Sequence, residues 1–203
     1  MTRLILTRHG ETEWNLSGLV QGNLDSPLTA KGINQAHQLA ARLSKEKISA
    51  VFSSPAGRAL TTAQIVAAEL HVPVLTCPEF REISFGDWEG KAWTKLKQAD
   101  PNGFAEWETT PYRYRFPQGE TMEEVLLRAR PKVLGLCQEH QNETICVVSH
   151  GITLKVLVTS LMGLTLADWQ QTPWQFNTAV NIFEVDGPNC SGLVLGDCSH
   201  ISE

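Results

Sequence analysis

Thr144-Ile145-Cys146-Val147-Val148-Ser149, followed at once by His150-Gly151, is the stretch of this chain that indicates its fold most directly. The apolar residues at its centre do not alternate with polar ones, which is typical of a strand buried on both faces. A helix is predicted to begin at Gly151 and to end at about Met162. A buried strand that leads directly into a helix is the building unit of α/β folds.

The same alternation of strand and helix extends through the rest of the chain. Further strands are predicted at residues 3–7, 50–53, 72–75, 181–185 and 193–195. Helices are predicted from about residue 28, with Ile33, Ala36, Leu39, Ala40 and Leu43 on one stripe, from Pro55 to Leu70, and from a capping box at Thr121–Glu124 to about Glu139. Pro131 predicts a kink or a break in the last helix. This order predicts a three-layer α/β/α sandwich around a mostly parallel central sheet.

The length, composition and charge of the chain limit the number of domains and the kinds of partner that are expected. Its 203 residues, 42% of them hydrophobic, predict one domain over residues 1–203 with a substantial core. The formal net charge of −5 disfavours a nucleic-acid-binding role, because such proteins usually carry a basic surplus. An anionic substrate would therefore require positive charge concentrated in the site itself.

Several features favour a cytoplasmic protein without a metal site. No apolar stretch approaches the ~20 residues of a membrane span, and the apolar run at residues 1–7 is too short for a signal peptide. The five cysteines have no C-x-x-C spacing and are predicted to be free thiols. No residues have the spacing of metal ligands, so no metal and no cofactor are expected. Four histidines are predicted to be surface or packing residues: His37, His71, His140 and His200.

Reactive side chains follow three of the predicted strands, in Arg8-His9-Gly10, Ser53-Ser54-Pro55 and Ser149-His150-Gly151. Ligands of parallel sheets bind at the carboxyl ends of the strands, so we expect the two histidines to share a pocket, with N–H groups near Gly151 available to an anion. Taken alone, Arg-His-Gly also fits a surface turn in which the histidine has ordinary hydrogen-bond partners and no catalytic role. Ser149 is not interpreted as a nucleophile, because Val147 occupies the place of the first glycine in a G-x-S-x-G elbow.

Five blocks of sequence together resemble the histidine phosphatase superfamily, which is also called phosphoglycerate-mutase-like. They are Arg8-His9-Gly10-Glu11-Thr12-Glu13-Trp14-Asn15, Pro27-Leu28-Thr29-Ala30-Lys31-Gly32, Phe52–Ala63, Arg81–Gly90 and Val148-Ser149-His150-Gly151. The resemblance spans nearly the whole chain and keeps the order of the family. The Gly-Asp-Trp-Glu-Gly loop at residues 86–90 and the ending at residues 196–201 look most like the bacterial broad-specificity phosphatases.

The resemblance implies a metal-independent phosphatase that hydrolyses small phosphate monoesters through a phosphohistidine. His9 would be the nucleophile and Glu82 the proton donor, kept protonated by partial burial beside a dianionic phosphate. The residues implied to bind the phosphoryl group are Arg8, Asn15, Gln21, Arg58, His150 and Gly151. We expect the two arginines to lower the pKa of His9, which must be neutral to attack. Local sequence alone would instead allow Glu82 to pair with Arg81.

Residues 87–119 are predicted to form a lid over this site. The segment is rich in aromatic residues, includes both tyrosines of the chain and has weak periodicity. Aromatic walls would favour hydrophobic or aromatic leaving groups, although the same rings also fit a role in packing the lid onto the body. The sequence leaves open whether the substrate is contacted by Trp107, Tyr112, Arg113 and Arg115.

Three other functions remain alternatives. A cofactor-dependent phosphoglycerate mutase would share His9 and the phosphate ligands, but the acid loop here departs from the R-x-Y-G-x-L-x-G pattern of that branch. A non-catalytic binding module would be expected to lose His9, an arginine or His150, all of which are present. A dedicated phosphatase for alpha-ribazole phosphate or phosphoserine is not excluded. The expected partners are small phosphorylated metabolites, not nucleic acid or membranes, and the chain is expected to be a monomer or a homodimer.

Overall fold

A computed structural model describes residues 1–202, and a six-stranded sheet forms their centre. Its strands are β1 (Thr2–Arg8), β2 (Ile48–Ser53), β3 (Val74–Thr76), β4 (Thr144–Ser149), β5 (Val180–Asp186) and β6 (Asn189–Asp197). They lie in the order β3-β2-β4-β1-β5-β6. The first four strands are parallel, whereas β5 is antiparallel to β1 and β6 is antiparallel to β5. The predicted mostly parallel sheet is confirmed, with an antiparallel pair at one edge.

Helices cover both faces of this sheet. They are α1 (Glu13–Ser17), α2 (Ala30–Leu43), α3 (Gly57–Leu70), α4 (Trp93–Ala99), α5 (Pro101–Thr109), α6 (Met122–Glu139) and α7 (Gly151–Leu161), with short 3-10 turns at Pro78–Phe80, Gly86–Trp88 and Leu166–Gln171. One apolar core joins α2 and α3 to the sheet, and a second joins α6 and α7 to its other face. The α/β/α layering is as predicted. No helix among residues 1–202 has both the length and the apolar character needed to cross a bilayer.

The apolar run of β4 is explained by its central place between β2 and β1. Side chains of a strand alternate between the two faces of a sheet. Ile145 and Val147 therefore pack in the core under α6 and α7, while Cys146 and Val148 pack in the core under α2 and α3. A strand with helices on both sides buries every side chain, which is why it lacks polar alternation.

The first turn of α2 differs from the predicted stripe. Ile33 was predicted to face the core, which is wrong, because its side chain is 41% exposed. The buried residues of this turn are Gly32 and Gln35 instead. Gln35 accepts a hydrogen bond from the Glu11 backbone N–H at 2.8 Å, and a Cβ at Gly32 would meet the Glu11 carbonyl oxygen at 2.0 Å. Contact with the loop after β1 thus decides which face of this turn is buried.

Two prolines lie differently from their predicted positions. Pro55 was predicted in the first turn of α3, but the helix begins two residues later, at Gly57. α6 runs from Met122 to Glu139 and contains Pro131, so the predicted break does not occur. Proline at this position removes the hydrogen bond to the carbonyl of Leu127. Leu127 is strongly exposed, so water can reach that carbonyl.

The segment at residues 87–119 contains α4 and α5, which the weak periodicity did not predict. Its aromatic rings form a third apolar core with side chains of α6 and α7. Trp88 stacks on Phe104 with ring centroids 5.7 Å apart, and Phe116 contacts Trp107 at 4.9 Å. Mutual packing of the rings, rather than an amphipathic stripe, therefore holds these short helices in place.

Candidate active site

Three neighbouring strands bring the predicted reactive residues together. Because β2, β4 and β1 are adjacent and parallel, the residues after their last positions meet at one edge of the sheet. His9, Ser54 and His150 lie there, and the ring centroids of the two histidines are 5.2 Å apart. A cavity of about 330 Å³ opens beside them and is lined by Arg8, His9, Asn15, Gln21, Arg58, Glu82 and Gly151 among others. Predicted residues from distant blocks of sequence thus share one pocket, whereas His150 is fully buried beside His9 and does not line it.

The imidazole of His9 is buried and oriented by its own loop. Its Nδ1 atom lies 2.7 Å from the carbonyl oxygen of Gly10. A carbonyl only accepts hydrogen bonds, so Nδ1 carries the proton and Nε2 carries the lone pair. The pKa of His9 lies well below its ordinary 6.5, chiefly through burial and further through Arg8 and Arg58. The direction predicted from the two arginines is confirmed, although burial is the larger cause. His9 is therefore neutral at pH 7.

Two glycines allow the His9 loop to approach α2. A Cβ at Gly10 would lie 2.3 Å from the carbonyl oxygen of Gly32, which no side chain tolerates. The N–H of Gly10 donates to Thr62 Oγ1 at 3.1 Å, and that hydroxyl donates to the Arg58 carbonyl at 2.8 Å. Thr62 thus links the loop of His9 to the helix that carries Arg58.

Arg58 is almost fully buried, with 2% of its surface exposed, in the first turn of α3. Its Nη1 atom donates to the Leu24 carbonyl and to Asp25 Oδ1, both at 2.8 Å. Its Nη2 atom donates to the Gly22 carbonyl at 2.8 Å. These acceptors hold the guanidinium against the cavity, and Nε and one Nη2 proton remain for a ligand. Sequence analysis did not identify Asp25 as part of the site.

Arg8 lines the same cavity as Arg58. Its Nη1 atom donates to the Gln175 carbonyl at 2.9 Å, while its buried Nε has no partner among residues 1–202. Burial lowers the pKa of Arg8 to about 10; the charge of Glu82 acts against this shift, and that of Arg58 adds to it. Arg8 is still a cation at neutral pH. Two buried guanidinium groups beside neutral imidazoles make a local positive field in an acidic protein.

His150 is held by Ser54 through a hydrogen bond of 2.7 Å to its Nε2 atom. The Ser54 oxygen also accepts a hydrogen bond from the Ala56 N–H at 3.3 Å. The other ring nitrogen of His150, Nδ1, is buried without a partner in the described part of the chain. The pKa of His150 is also lowered well below 6.5, mainly by burial and then by Arg58. His150 therefore has one ring nitrogen that the described residues leave unused.

The carboxylate of Glu82 lies at the N-terminus of α7. Its Oε1 atom accepts hydrogen bonds from the N–H groups of Ile83 and Thr153, both at 3.0 Å, and Oε2 accepts one from the Ile152 N–H at 3.2 Å. Pairing of Glu82 with Arg81 does not occur among the salt bridges of the described residues. The helix N–H groups that we expected to serve an anion are therefore partly taken by Glu82. Gly151 still lines the cavity.

Asn15 and Gln21 contribute amides to the same cavity. Asn15 Oδ1 accepts from the Thr12 N–H at 3.1 Å in a capping box at the start of α1, which directs the acceptor half of the amide away from a ligand. Gln21 is buried, and its Oε1 has no partner within residues 1–202. A buried amide without a partner is costly unless a ligand satisfies it.

Eight apolar side chains also line the cavity, and three of them come from residues 87–119. They are Leu19, Val20, Phe85, Trp93, Phe104, Trp107, Ile152 and Trp174. Several of these rings also belong to the third apolar core, so the same side chains pack that core and line the cavity. Of the four residues that the sequence left open, Trp107 lines the cavity, whereas Tyr112, Arg113 and Arg115 do not.

The segment at residues 174–178 was missed by sequence analysis. Asn177 Nδ2 donates to the His9 carbonyl at 3.0 Å and lies 3.3 Å from Asn15 Oδ1. The Thr178 N–H donates to the Arg8 carbonyl at 3.1 Å. Trp174 lines the cavity. No sequence motif marks this segment. Only its position beside β1 in the structure reveals this role.

The other four histidines lie outside the cavity. His37 pairs with Glu69, His140 pairs with Glu143 at 2.7 Å, and His200 lies 3.3 Å from Thr178 Oγ1. His71 ends α3 in a left-handed conformation. Among residues 1–202, no group of three or more histidine, cysteine or acidic side chains is placed to hold a metal ion.

Known proteins resemble this chain over nearly its whole length. Residues 4–197 match the model of the histidine phosphatase superfamily, branch 1. The chain is 31% identical to phosphoserine phosphatase 1 of Hydrogenobacter thermophilus, over 100% of this chain and 96% of that protein. It is 34% identical to phosphoglycerate mutase-like protein 4 of Arabidopsis thaliana, over 98% and 87% of the two chains. The solved structure of YhfR from Bacillus stearothermophilus superposes with a TM-score of 0.94, 40% identity and full coverage of both chains.

Proposed function

Because this chain belongs to the histidine phosphatase superfamily, we propose that it hydrolyses small phosphate monoesters without a metal ion and that His9 carries the phosphoryl group between two steps. The observation that carries this proposal is the meeting of His9 with the guanidinium groups of Arg8 and Arg58 at one cavity, where the neutral ring of His150 packs against that of His9. Phosphate monoesters hydrolyse extremely slowly in water, and a covalent intermediate divides that barrier into two lower ones.

The nucleophile is the Nε2 atom of His9. Its lone pair is available at neutral pH because burial and the two arginines lower the pKa of the ring. The hydrogen bond from Nδ1 to the Gly10 carbonyl fixes the tautomer and supports the positive charge that develops on the ring during attack.

The phosphoryl oxygens are bound by the unused donors around the cavity. These are Arg8 Nε, His150 Nδ1 and the free N–H groups of Arg58, with the amides of Asn15 and Gln21 beside them. Donors held in place before the substrate arrives need no reorganisation as charge develops in the transition state. Guanidinium groups also match the geometry of phosphate oxygens, which a lysine does not.

Glu82 moves the proton in both steps. In the first step, the bond from His9 Nε2 to phosphorus forms as the ester P–O bond breaks, and Glu82 gives its proton to the leaving oxygen. In the second step, Glu82 takes a proton from water as the water oxygen attacks phosphorus and the P–N bond breaks. Inorganic phosphate is released.

The proposal is tested with p-nitrophenyl phosphate in the presence of EDTA, using the parent chain, His9→Ala and His37→Ala. His37 lies on the exposed side of α2 and serves as the matched control. We expect turnover by the parent and by His37→Ala, and near-complete loss in His9→Ala. Labelled substrate quenched in base should leave an acid-labile phosphoenzyme in the parent and in His37→Ala, but not in His9→Ala. Turnover by His9→Ala at the parent rate would contradict the covalent mechanism.

A mutase reaction is distinguished in the same experiment by its product. With 3-phosphoglycerate as substrate, a phosphatase releases inorganic phosphate, whereas a mutase forms 2-phosphoglycerate. We expect inorganic phosphate, since water must reach the phosphohistidine in the proposed second step.

A further inference from the structure

The cavity lining combines polar and charged residues with an apolar set. The phosphoryl group is proposed to bind Arg8, His9, Asn15 and Arg58, which leaves the apolar part of the lining for the leaving group of the ester. We call this apolar part the leaving-group end. Charges there bear on which leaving groups are accepted.

Glu108 is the one charged residue of the lid that lines the cavity in the described part of the chain. It lies on α5, directly after Trp107, whose ring forms part of the apolar wall. Its side chain is half-exposed and lies 3.1 Å from Lys97 Nζ. The leaving-group end is thus an aromatic chamber that contains a carboxylate.

The cations near the lid are engaged elsewhere. Arg115 pairs with Glu124 at 2.8 Å, and the Arg113 guanidinium lies 5.5 Å from the Tyr112 ring centroid. Lys97 contacts both oxygens of Glu108, at 3.1 and 3.4 Å, and lies over the ring of Phe104. None of these three cations lines the cavity.

Lys155 is the other cation close to the wall. It is buried, and its ammonium lies 4.2 Å from the ring centroid of Trp169 and 5.4 Å from that of Trp174. Because Trp174 lines the cavity and Lys155 does not, the lysine contributes to the packing of this wall. A negatively charged leaving group would therefore find no free cation at this end within residues 1–202.

We infer that Glu108 determines specificity by disfavouring phosphate esters whose leaving group carries a carboxylate. This inference rests on the proposed function and names its substrate class: phosphate monoesters with an apolar or aromatic leaving group that carries no negative charge. A carboxylate entering the chamber gives up hydration without gaining a cationic partner, and it meets a like charge. Phosphoserine, the substrate in the name of the Hydrogenobacter relative, is an ester of the disfavoured kind.

Two substrate pairs isolate this effect, because the members of each pair differ only by a carboxylate. They are phenyl phosphate with 4-carboxyphenyl phosphate, and O-phosphoethanolamine with O-phosphoserine. For each pair the measured quantity is the ratio of kcat/KM for the carboxylate ester to kcat/KM for its partner. The full chain is compared with Glu108→Gln, Glu108→Lys and the control Glu106→Gln. Glu106 lies exposed on the same helix and does not line the cavity.

We expect the parent to prefer the ester without a carboxylate in both pairs. The ratio should rise roughly threefold in Glu108→Gln and roughly tenfold in Glu108→Lys, as befits a partly exposed charge. It should stay at the parent value in Glu106→Gln, and high salt should reduce the difference between the parent and the Glu108 variants.

Ratios equal to the parent value in both Glu108 variants would overturn the inference, as would a parent that prefers the carboxylate esters. Either result is compatible with rapid turnover of phenyl phosphate, so the proposed function would still stand. Absence of phenyl phosphate turnover in the parent would instead remove the proposed function, and this inference with it.

Discussion

The carboxylate of Asp25 lies 2.8 Å from Nη1 of Arg58, although Asp25 lies outside the five blocks of sequence that resemble the family. Asp25 Oδ1 is also 3.4 Å from the backbone nitrogen of Arg58. A Cβ at Gly57 would meet Asp25 Oδ2 at 2.3 Å, so the carboxylate is seated against the start of α3. Asp25 is therefore placed to orient Arg58 without lining the cavity itself.

Asp25→Asn is expected to lower kcat/KM for p-nitrophenyl phosphate by about tenfold and to weaken inhibition by inorganic phosphate to a similar degree. The reason is that a charge-assisted hydrogen bond, worth roughly 1.5 kcal/mol or more, no longer orients the guanidinium. Steady-state kinetics with phosphate as inhibitor measure both effects. Asp186→Asn is the matched control, since Asp186 is exposed at the far end of β5.

A double-mutant cycle separates positioning of Arg58 from a general structural role. If Asp25 acts through Arg58, Asp25→Asn should cause no further loss of phosphate binding in the Arg58→Ala background. Equal losses in the two backgrounds would show that Asp25 acts by another route.

Glu82→Gln is expected to reduce turnover of alkyl phosphates by ~10²–10⁴-fold, the usual contribution of a general acid. The loss on p-nitrophenyl phosphate should be much smaller, since p-nitrophenolate leaves without needing a proton. Glu82 also accepts hydrogen bonds from N-terminal N–H groups of α7, so its loss could displace that helix. Comparing kcat on the two substrates separates the loss of proton donation from such a displacement. Equal losses on both substrates would count against Glu82 as the acid.

The stability of the protein is expected to depend on pH through its two buried histidines. The pKa values of His9 and His150 in the folded chain lie well below 6.5. As pH falls below about 6.5, the unfolded chain binds protons that the folded chain does not, so the free energy of unfolding decreases. Above that pH neither state is protonated at these rings, and the effect disappears.

Each buried neutral histidine contributes up to ~1.4 kcal/mol per pH unit to this decrease. Between pH 7 and pH 5, the free energy of unfolding measured with denaturant should therefore change less steeply with pH in His9→Gln and in His150→Gln than in the parent. His37→Gln, at an exposed ring, should keep the parent slope. The attribution fails if the exposed variant flattens the curve as much as the buried ones.

Much of the site was predictable because its chemistry is concentrated in short blocks. The β4 run and the residues after it indicated a buried strand that presents His150 at the edge of a sheet. The same reasoning applied to β1 indicated His9 beside it, and parallel neighbours must place their ends together. The roles of Arg58 and Glu82 came from resemblance to a family, because nothing in the local sequence requires a loop carboxylate to face a cavity.

The helices in residues 87–119 could not be predicted from the hydrophobic pattern of the sequence. α4 and α5 are short, and their rings pack against one another on several sides, so no 3.6-residue stripe distinguishes a buried face. The exposed position of Ile33 has a similar cause, since contact with the loop at Glu11 sets the buried face of that turn.

By itself, the sequence determined the layered α/β architecture, the strand ends that carry the two histidines and the residue types around the cavity. These depend on periodicity and on short motifs, which are local properties of a chain. Only the tertiary structure decided that Asp25 holds Arg58, that Ser54 bonds to His150 and that Glu108 rather than Arg113 or Arg115 lines the cavity. Those contacts join residues from separate loops, and the direction of a loop side chain is set by the packing around it rather than by its neighbours in sequence.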